Sequence, residues 1–232
     1  MTMCLLCHRE IAAPLTLWQL INFQPITEQI VCTRCRQAFS AIDPQLGCQS
    51  CGRLSDQKKC SDCERWSSEI EFSNRACYTY NTAMKAYMSQ YKFNGDYRLR
   101  TVFQLEIQRE IQASKCDVVV PIPLHPDTLA ARGFNQVEGL IGELPMLRAL
   151  TTISATKAQH QSAKNRKQRL TTAQPFKLAV DSMQLYRKNV LIVDDVYTTG
   201  RTIRHAALLL KKSRCNNRQR TDVSTRIITL MI

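Results

Sequence analysis

The sequence predicts an α/β protein, a mostly parallel sheet flanked by helices, preceded by a small cysteine-rich metal module. Three observations carry that prediction. The apolar, β-branched runs Val118–Val120 and Val190–Val193 fit strands buried on both faces. Segments of helical period lie between and after them. Four Cys-x-x-Cys pairs crowd into the first 63 residues.

The chain has 232 residues, 44% of them apolar, enough for a real core and for one or two domains. We place the boundary between 1–66, the metal module, and 67–232, the α/β domain. The opening residues, Met-Thr-Met-Cys-Leu-Leu-Cys-His-Arg-Glu, lack a charged leader followed by an apolar stretch, so no signal peptide is expected. No apolar run approaches the ~20 residues that span a bilayer. A cytoplasmic protein without membrane insertion is expected.

Cys4/Cys7, Cys32/Cys35, Cys48/Cys51 and Cys60/Cys63 are the four pairs. A reducing compartment does not hold eight cysteines as disulfides. Two residues between thiolates let both grip one ion from a tight knuckle, and two knuckles complete a tetrahedral S₄ site. The simplest pairing gives one zinc to Cys4, Cys7, Cys32 and Cys35 and a second to Cys48, Cys51, Cys60 and Cys63, a double zinc ribbon. An interleaved cross-brace has the same spacing and stays open. Four thiolates leave no open coordination position, so both ions are expected to be structural.

Residues 64–76 show no periodicity and read as a connector. Cys77 to Tyr80 fits a short strand. Asn81 to Lys92 reads as a helix with Met84, Tyr87, Met88 and Tyr91 on one face, followed by a turn at Lys92–Asp96. Arg98 to Ile111 is a second helix, striped by Leu99, Val102, Phe103, Leu105, Glu106 and Ile107. Asp117 to Pro123 is a buried strand ended by prolines, which cannot continue a ladder. A helix is expected over Leu140 to Leu150, broken near Pro145. Val223 to Ile232 reads as the last strand.

Residues 190–205 carry the most chemistry. The run Val190–Val193 is followed by Asp194 and Asp195, then by a turn holding Thr198, Thr199, Gly200 and Thr202. A helix begins at Arg201, with Ile203, Ala206, Ala207 and Leu210 on one face. Helix N-termini leave N–H groups unpaired and attract phosphate. Glycine allows close backbone approach, and threonine hydroxyls donate to phosphate oxygens. Carboxylates instead suit sugar hydroxyls and, through them, magnesium.

This stretch resembles the 5-phosphoribosyl 1-pyrophosphate (PRPP) motif of type I phosphoribosyltransferases. The resemblance implies that Asp194 and Asp195 hold ribose hydroxyls and that Tyr197, Thr198, Thr199, Gly200, Arg201 and Thr202 surround the 5′-phosphate, with magnesium accompanying PRPP. It implies that the loop after the 117–123 strand, with Pro121, Pro123, Leu124 and His125, meets the pyrophosphate. Arg132, Asn135 and Gln136 fall near the same sheet edge.

The resemblance then widens. The cysteine module, Tyr-Lys-Phe-x-Gly (91–95), Val-Val-Pro-Ile-Pro-Leu-His-Pro (119–126), Arg-Gly-Phe-Asn-Gln (132–136) and Asp-Asp-Val-Tyr-Thr-Thr-Gly (194–200) occur in one order. Together they are similar to the ComF family of competence proteins, ComFC- and GntX-like, and the similarity spans nearly the whole chain. It implies a role in natural transformation, the uptake of single-stranded DNA. It also implies a ComFA-type DNA-translocating ATPase as partner and, through partners, a place at the inner face of the membrane. The sequence departs at Arg201, where a small residue is usual.

Charge placement bears on the DNA. The net charge is +13, yet residues 1–72 hold seven Lys/Arg against eight Asp/Glu, and the remainder 25 against 11. Residues 148–177 carry Arg148, Lys157, Lys164, Arg166, Lys167, Arg169 and Lys177 without one acid. Basic segments attract phosphate-rich partners. Lys157, Lys164, Arg166, Lys167 and Arg169 are the expected nucleic-acid contacts, on a basic loop over the site. Two functions remain in view. One is a DNA-uptake module with a PRPP-binding site; the other is an active phosphoribosyltransferase on an unknown acceptor.

Overall fold

The computed structural model describes residues 2–11, 21–22, 29–65, 73–153, 174–214 and 225–232. Its centre is a parallel sheet of four strands: β3 (Ser73–Tyr78), β4 (Val118–Pro121), β7 (Val190–Val196) and β8 (Thr225–Met231). The spatial order is β3-β8-β7-β4. Two smaller ladders, both antiparallel, complete the strands: β1 (Thr2–Met3) with β2 (Glu10–Ile11), and β5 (Leu150–Thr152) with β6 (Phe176–Leu178).

Alternation along β7 explains why the central strands read as unbroken apolar runs. Leu191 and Val193 enter a core with the helices α3 (Thr82–Phe93), α4 (Thr101–Ala113) and α6 (Gln136–Ile141). Val190 and Ile192 enter a second core with α7 (Arg201–Arg214), Leu150 and Phe176. Both faces are covered, as parallel sheets require. The open edge of β3 is capped by the N-terminal segment, through Ile42 N–H to Cys77 C=O (2.9 Å) and Thr79 N–H to Ser40 C=O (2.9 Å).

Helix α3 matches its sequence signal, with Asn81 as N-cap accepting from Met84 N–H and with Met84, Tyr87, Met88 and Tyr91 buried. Three expectations are corrected. Strand β3 starts at Ser73, inside the expected connector. Its polar residues are engaged: Asn74 is buried, and Arg75 pairs with Glu110 at 3.4 Å. The helix expected over Leu140 to Leu150 is instead α6, Gln136–Ile141, which stops at Gly142 (φ 67°) before an extended run into β5. Leu105, expected in the apolar stripe of the second helix, is exposed on α4, and a short helix α5 (Pro126–Arg132), capped by His125, follows β4. The segment 154–173 lies outside the described residues, and with it Lys157, Lys164, Arg166, Lys167 and Arg169.

The eight cysteines group sequentially, not interleaved. The sulfurs of Cys4, Cys7, Cys32 and Cys35 all lie within 4.8 Å of one another, as do those of Cys48, Cys51, Cys60 and Cys63. Helix α1 (Thr33–Gln37) follows Cys32, and helix α2 (Ser61–Arg65) follows Cys60. The first group joins the core of α3, α4 and α6, and the second joins the core of α7. The two centres thus pack against different cores of the sheet.

Candidate functional site

The C-terminal ends of β4 and β7 lie side by side, with Pro121 opposite Val193. Ligands of open α/β sheets bind beyond such ends. At this edge, side-chain alternation aims Asp195 toward the α3/α6 layer, where Lys92, at the last turn of α3, forms an ion pair with its carboxylate. Asp194 and Asp195 are 7% and 5% exposed, a costly place for two carboxyl groups. Burial opposes ionisation of Asp195, but Lys92 holds its carboxyl below the usual carboxylate range. Burial, with the charge of Asp195 beside it, pushes Asp194 well above that range. The two shifts run in opposite directions: the site resists a second negative charge, and Lys92 compensates the first. Asp195 N–H also donates to Asp194 Oδ1 at 2.9 Å.

Beyond the carboxylates the chain turns into α7. Tyr197 N–H is fixed to Met231 C=O (2.9 Å), and Arg204 N–H to Gly200 C=O (2.9 Å) opens the helix. Gly200 has φ 71°, and a Cβ there would collide with the Tyr197 hydroxyl, so only glycine fits. Thr198 and Thr202 are exposed, and Thr199 is half-buried. No acid occupies the first turn of α7, so its N–H groups face no competing carboxylate of their own helix. Tyr197 is placed under the turn, buried in the α7 core. Arg201 folds back along the helix, its Nε donating to His205 Nε2 at 3.1 Å.

The neighbouring loop closes the edge from the β4 side. Pro121 is buried; Pro123, Leu124 and His125 are half-buried. His125 Nδ1 accepts from Asp127 N–H (3.3 Å), which leaves Nε2–H as a donor. Asn135 Nδ2 donates to Ile122 C=O at 3.2 Å, and Tyr91 Oη to Gln136 C=O at 3.0 Å. Arg132 hydrogen-bonds the Gln136 side chain and feels the charge of Asp195. Residues from 91–95, 121–136 and 194–202, far apart in sequence, thus converge on one edge. Lys92 is the residue that sequence reasoning missed. It sits inside Tyr91–Gly95, a segment that carries part of the family resemblance but was assigned no site role, and pattern alone gives no sign of a partner in another element. A cavity of about 510 Å³, lined by Ile111, Lys115, Met146 and Lys188, lies at the other end of the sheet, by the start of β4.

Each four-cysteine group has the donor set of a closed S₄ metal centre. Burial pushes the thiols of Cys4 and Cys48 up, but backbone N–H donors reverse the shift and hold them at about 6 and about 7. For Cys4 the donors come from residues 32, 7 and 6; for Cys48, from 51, 60 and 50. These donors favour the thiolate at Cys4 and Cys48, whereas burial pushes Cys35 and Cys60 up and the Cys63 thiol pushes Cys51 up. Among the described residues, no helix is long and apolar enough to cross a membrane.

No family model matches the chain. It is 38% identical over 211 residues to Competence protein ComFC of Streptococcus pneumoniae, covering 90% of this chain and 94% of that protein. It is 33% identical over 221 residues to Competence protein ComFC of Bacillus subtilis, covering 91% and 90%. It is 26% identical over 232 residues to DNA utilization protein YhgH of Salmonella typhi, covering 91% of each. Identity of 38% and 33% over about nine-tenths of each chain means that this chain belongs to the ComFC family of competence proteins.

Proposed function

We propose that this chain acts in DNA uptake and binds PRPP, or a related phosphosugar, with magnesium at the edge formed by β4 and β7. One observation supports this above all: a buried carboxylate pair, its lysine counter-charge and an open threonine-rich turn into α7 meet at one place. The 5′-phosphate is held by the N–H and hydroxyl groups of Thr198 to Thr202. The ribose hydroxyls lie on Asp194 and Asp195, and magnesium is reached through those hydroxyls. Magnesium supplies charge neutralisation for the pyrophosphate. Lys92 and Arg132 add positive charge on the α3/α6 side, and His125 Nε2–H a donor on the β4 side. The two four-cysteine centres hold zinc in this reading. Single-stranded DNA is bound by Lys157, Lys164, Arg166, Lys167 and Arg169, beside a ComFA-type ATPase.

Calorimetry of PRPP with magnesium tests the sugar site. Saturable one-to-one binding is expected, lost without magnesium and weakened at least tenfold in Lys92→Met. Undetectable binding by the native chain refutes it. Pyrophosphate release from PRPP, native against Asp195→Asn, separates turnover from binding. Fluorescence anisotropy of a labelled oligonucleotide tests the DNA reading. Affinity is expected to fall steeply with salt, and each of the five cations replaced should flatten the log–log slope by about 0.7. An unchanged slope after all five substitutions removes the basic segment from DNA binding.

A further inference from the structure

We infer that Arg53 is a positioning residue that fastens the phosphate-binding turn to the second four-cysteine centre, so that metal bound there and phosphosugar bound at the turn stabilise each other. The inference rests on the sugar-site reading of 194–202 and adds a means of regulating it.

Arg53 lies between the two knuckles of that centre, two residues after Cys51. Its guanidinium is forked across two elements. Nη1 donates to Asp62 Oδ2 at 3.1 Å, next to the ligand Cys63, and Nη2 donates to the carbonyl of Thr198 at 2.9 Å. Such a planar fork transmits position better than a single flexible contact. A second tie runs from α7, where Arg204, 3% exposed, brings Nη2 to 3.9 Å from Cys63 Sγ. A third reaches the carboxylate ledge. Asn74 Nδ2 donates to Cys51 C=O (2.8 Å) and to Thr229 Oγ1 (3.1 Å), and Thr229 is the ladder partner of Asp194.

The centre, the turn and the ledge therefore form one bonded unit, with Cys51, Cys63, Tyr197 and Ile203 in one core. The first centre takes part in none of these three ties. It joins the opposite core, where Arg36 of α1 pairs with Glu106 of α4 at 3.1 Å. When metal leaves the second centre, the Cys60–Cys63 knuckle loses its anchor. Asp62 and Cys63, the fixed points for Arg53 and Arg204, then move. Coupling of this kind is reciprocal: what metal does for ligand affinity, ligand does for metal affinity.

Two readouts on the full, zinc-loaded chain test this. The first is zinc release to a chromogenic chelator, with and without PRPP and magnesium. PRPP is expected to slow one of the two zinc equivalents at least about fivefold, the low end of ordinary coupling, and to leave the other unchanged. Arg53→Met should keep both zinc equivalents and abolish the slowing. The second readout needs no ligand. Amides of 197–204 should exchange with deuterium at least tenfold faster in Cys63→Ser than in Cys35→Ser, which empties the other centre. If Cys63→Ser does not fold, Arg53→Met against the native chain carries the exchange measurement. Unchanged exchange, or bound PRPP that leaves both release rates alone, overturns the inference. PRPP that does not bind at all refutes the sugar site, while the exchange arm still decides whether Arg53 ties the turn to the metal centre.

Discussion

Replacing Asp194 and Asp195 singly by asparagine is expected to move stability in opposite directions while weakening phosphosugar binding in both. Burial and the neighbouring charge raise the carboxyl of Asp194 in the folded chain. Its native state is thus favoured fully below the unfolded value of about 3.9, and that advantage is lost as pH rises toward the raised folded value. Above the unfolded value the unfolded chain ionises Asp194 more readily than the folded chain does. The Asp194→Asn substitution avoids that loss and keeps both roles of the side chain, accepting from the Asp195 N–H and donating to the Asp195 carboxylate. Each unit of raised pKa is worth about 1.4 kcal/mol, so a melting temperature higher by at least about 2 °C is expected at pH 7. The gain should vanish near pH 4. Asp195 behaves oppositely. Lys92 lowers its carboxyl despite burial, so the pair contributes stability above about 3.9 that is lost as pH falls through the folded value. Asp195→Asn strands Lys92, which is only 18% exposed, at a cost of about 3 kcal/mol. A drop on the order of 6–12 °C follows. Equal destabilisation by both substitutions would contradict the opposite shifts of the two carboxyls. A residue whose removal stabilises the fold is the mark of a functional site.

The second large effect concerns the metal centres. Native protein is expected to carry two zinc equivalents by elemental analysis, and Cys48→Ser or Cys4→Ser one. A structural S₄ zinc contributes on the order of 10–16 kcal/mol of binding free energy, which here becomes folding free energy of the knuckles. Chelation of both ions should therefore open 29–65 to protease while the sheet persists longer, because β4, β7 and β8 are joined by their own ladder. Unchanged protease resistance after complete metal removal would make the cysteines incidental to the fold.

Legibility in the sequence followed burial. The runs that became β4 and β7 are buried on both faces, so no polar residue interrupts them, and α3 and α7 show one apolar face each. Strand β3 was obscured because Asn74 and Arg75 spend their polar groups on Thr229 and Glu110, partners from other elements. Strands β5 and β6 are short and bear Thr151, Thr152 and Lys177, so they read as loop. Cysteine spacing announced the two four-cysteine groups, but only the fold distinguishes sequential from interleaved grouping. The acidic pair and its turn are contiguous, so they are legible as a candidate site. Lys92 was not, since its function depends on where α3 ends relative to β7.

A crystal structure of the full chain grown with PRPP and magnesium would place the ligand itself. The 5′-phosphate is predicted within hydrogen-bonding distance of the backbone N–H groups of Thr199 to Thr202. The ribose hydroxyls should lie against Asp194 and Asp195, and Lys92 should stand at that same edge. PRPP seated elsewhere, such as in the cavity by Lys115 and Lys188, or a site left empty at saturating PRPP, would contradict the assignment.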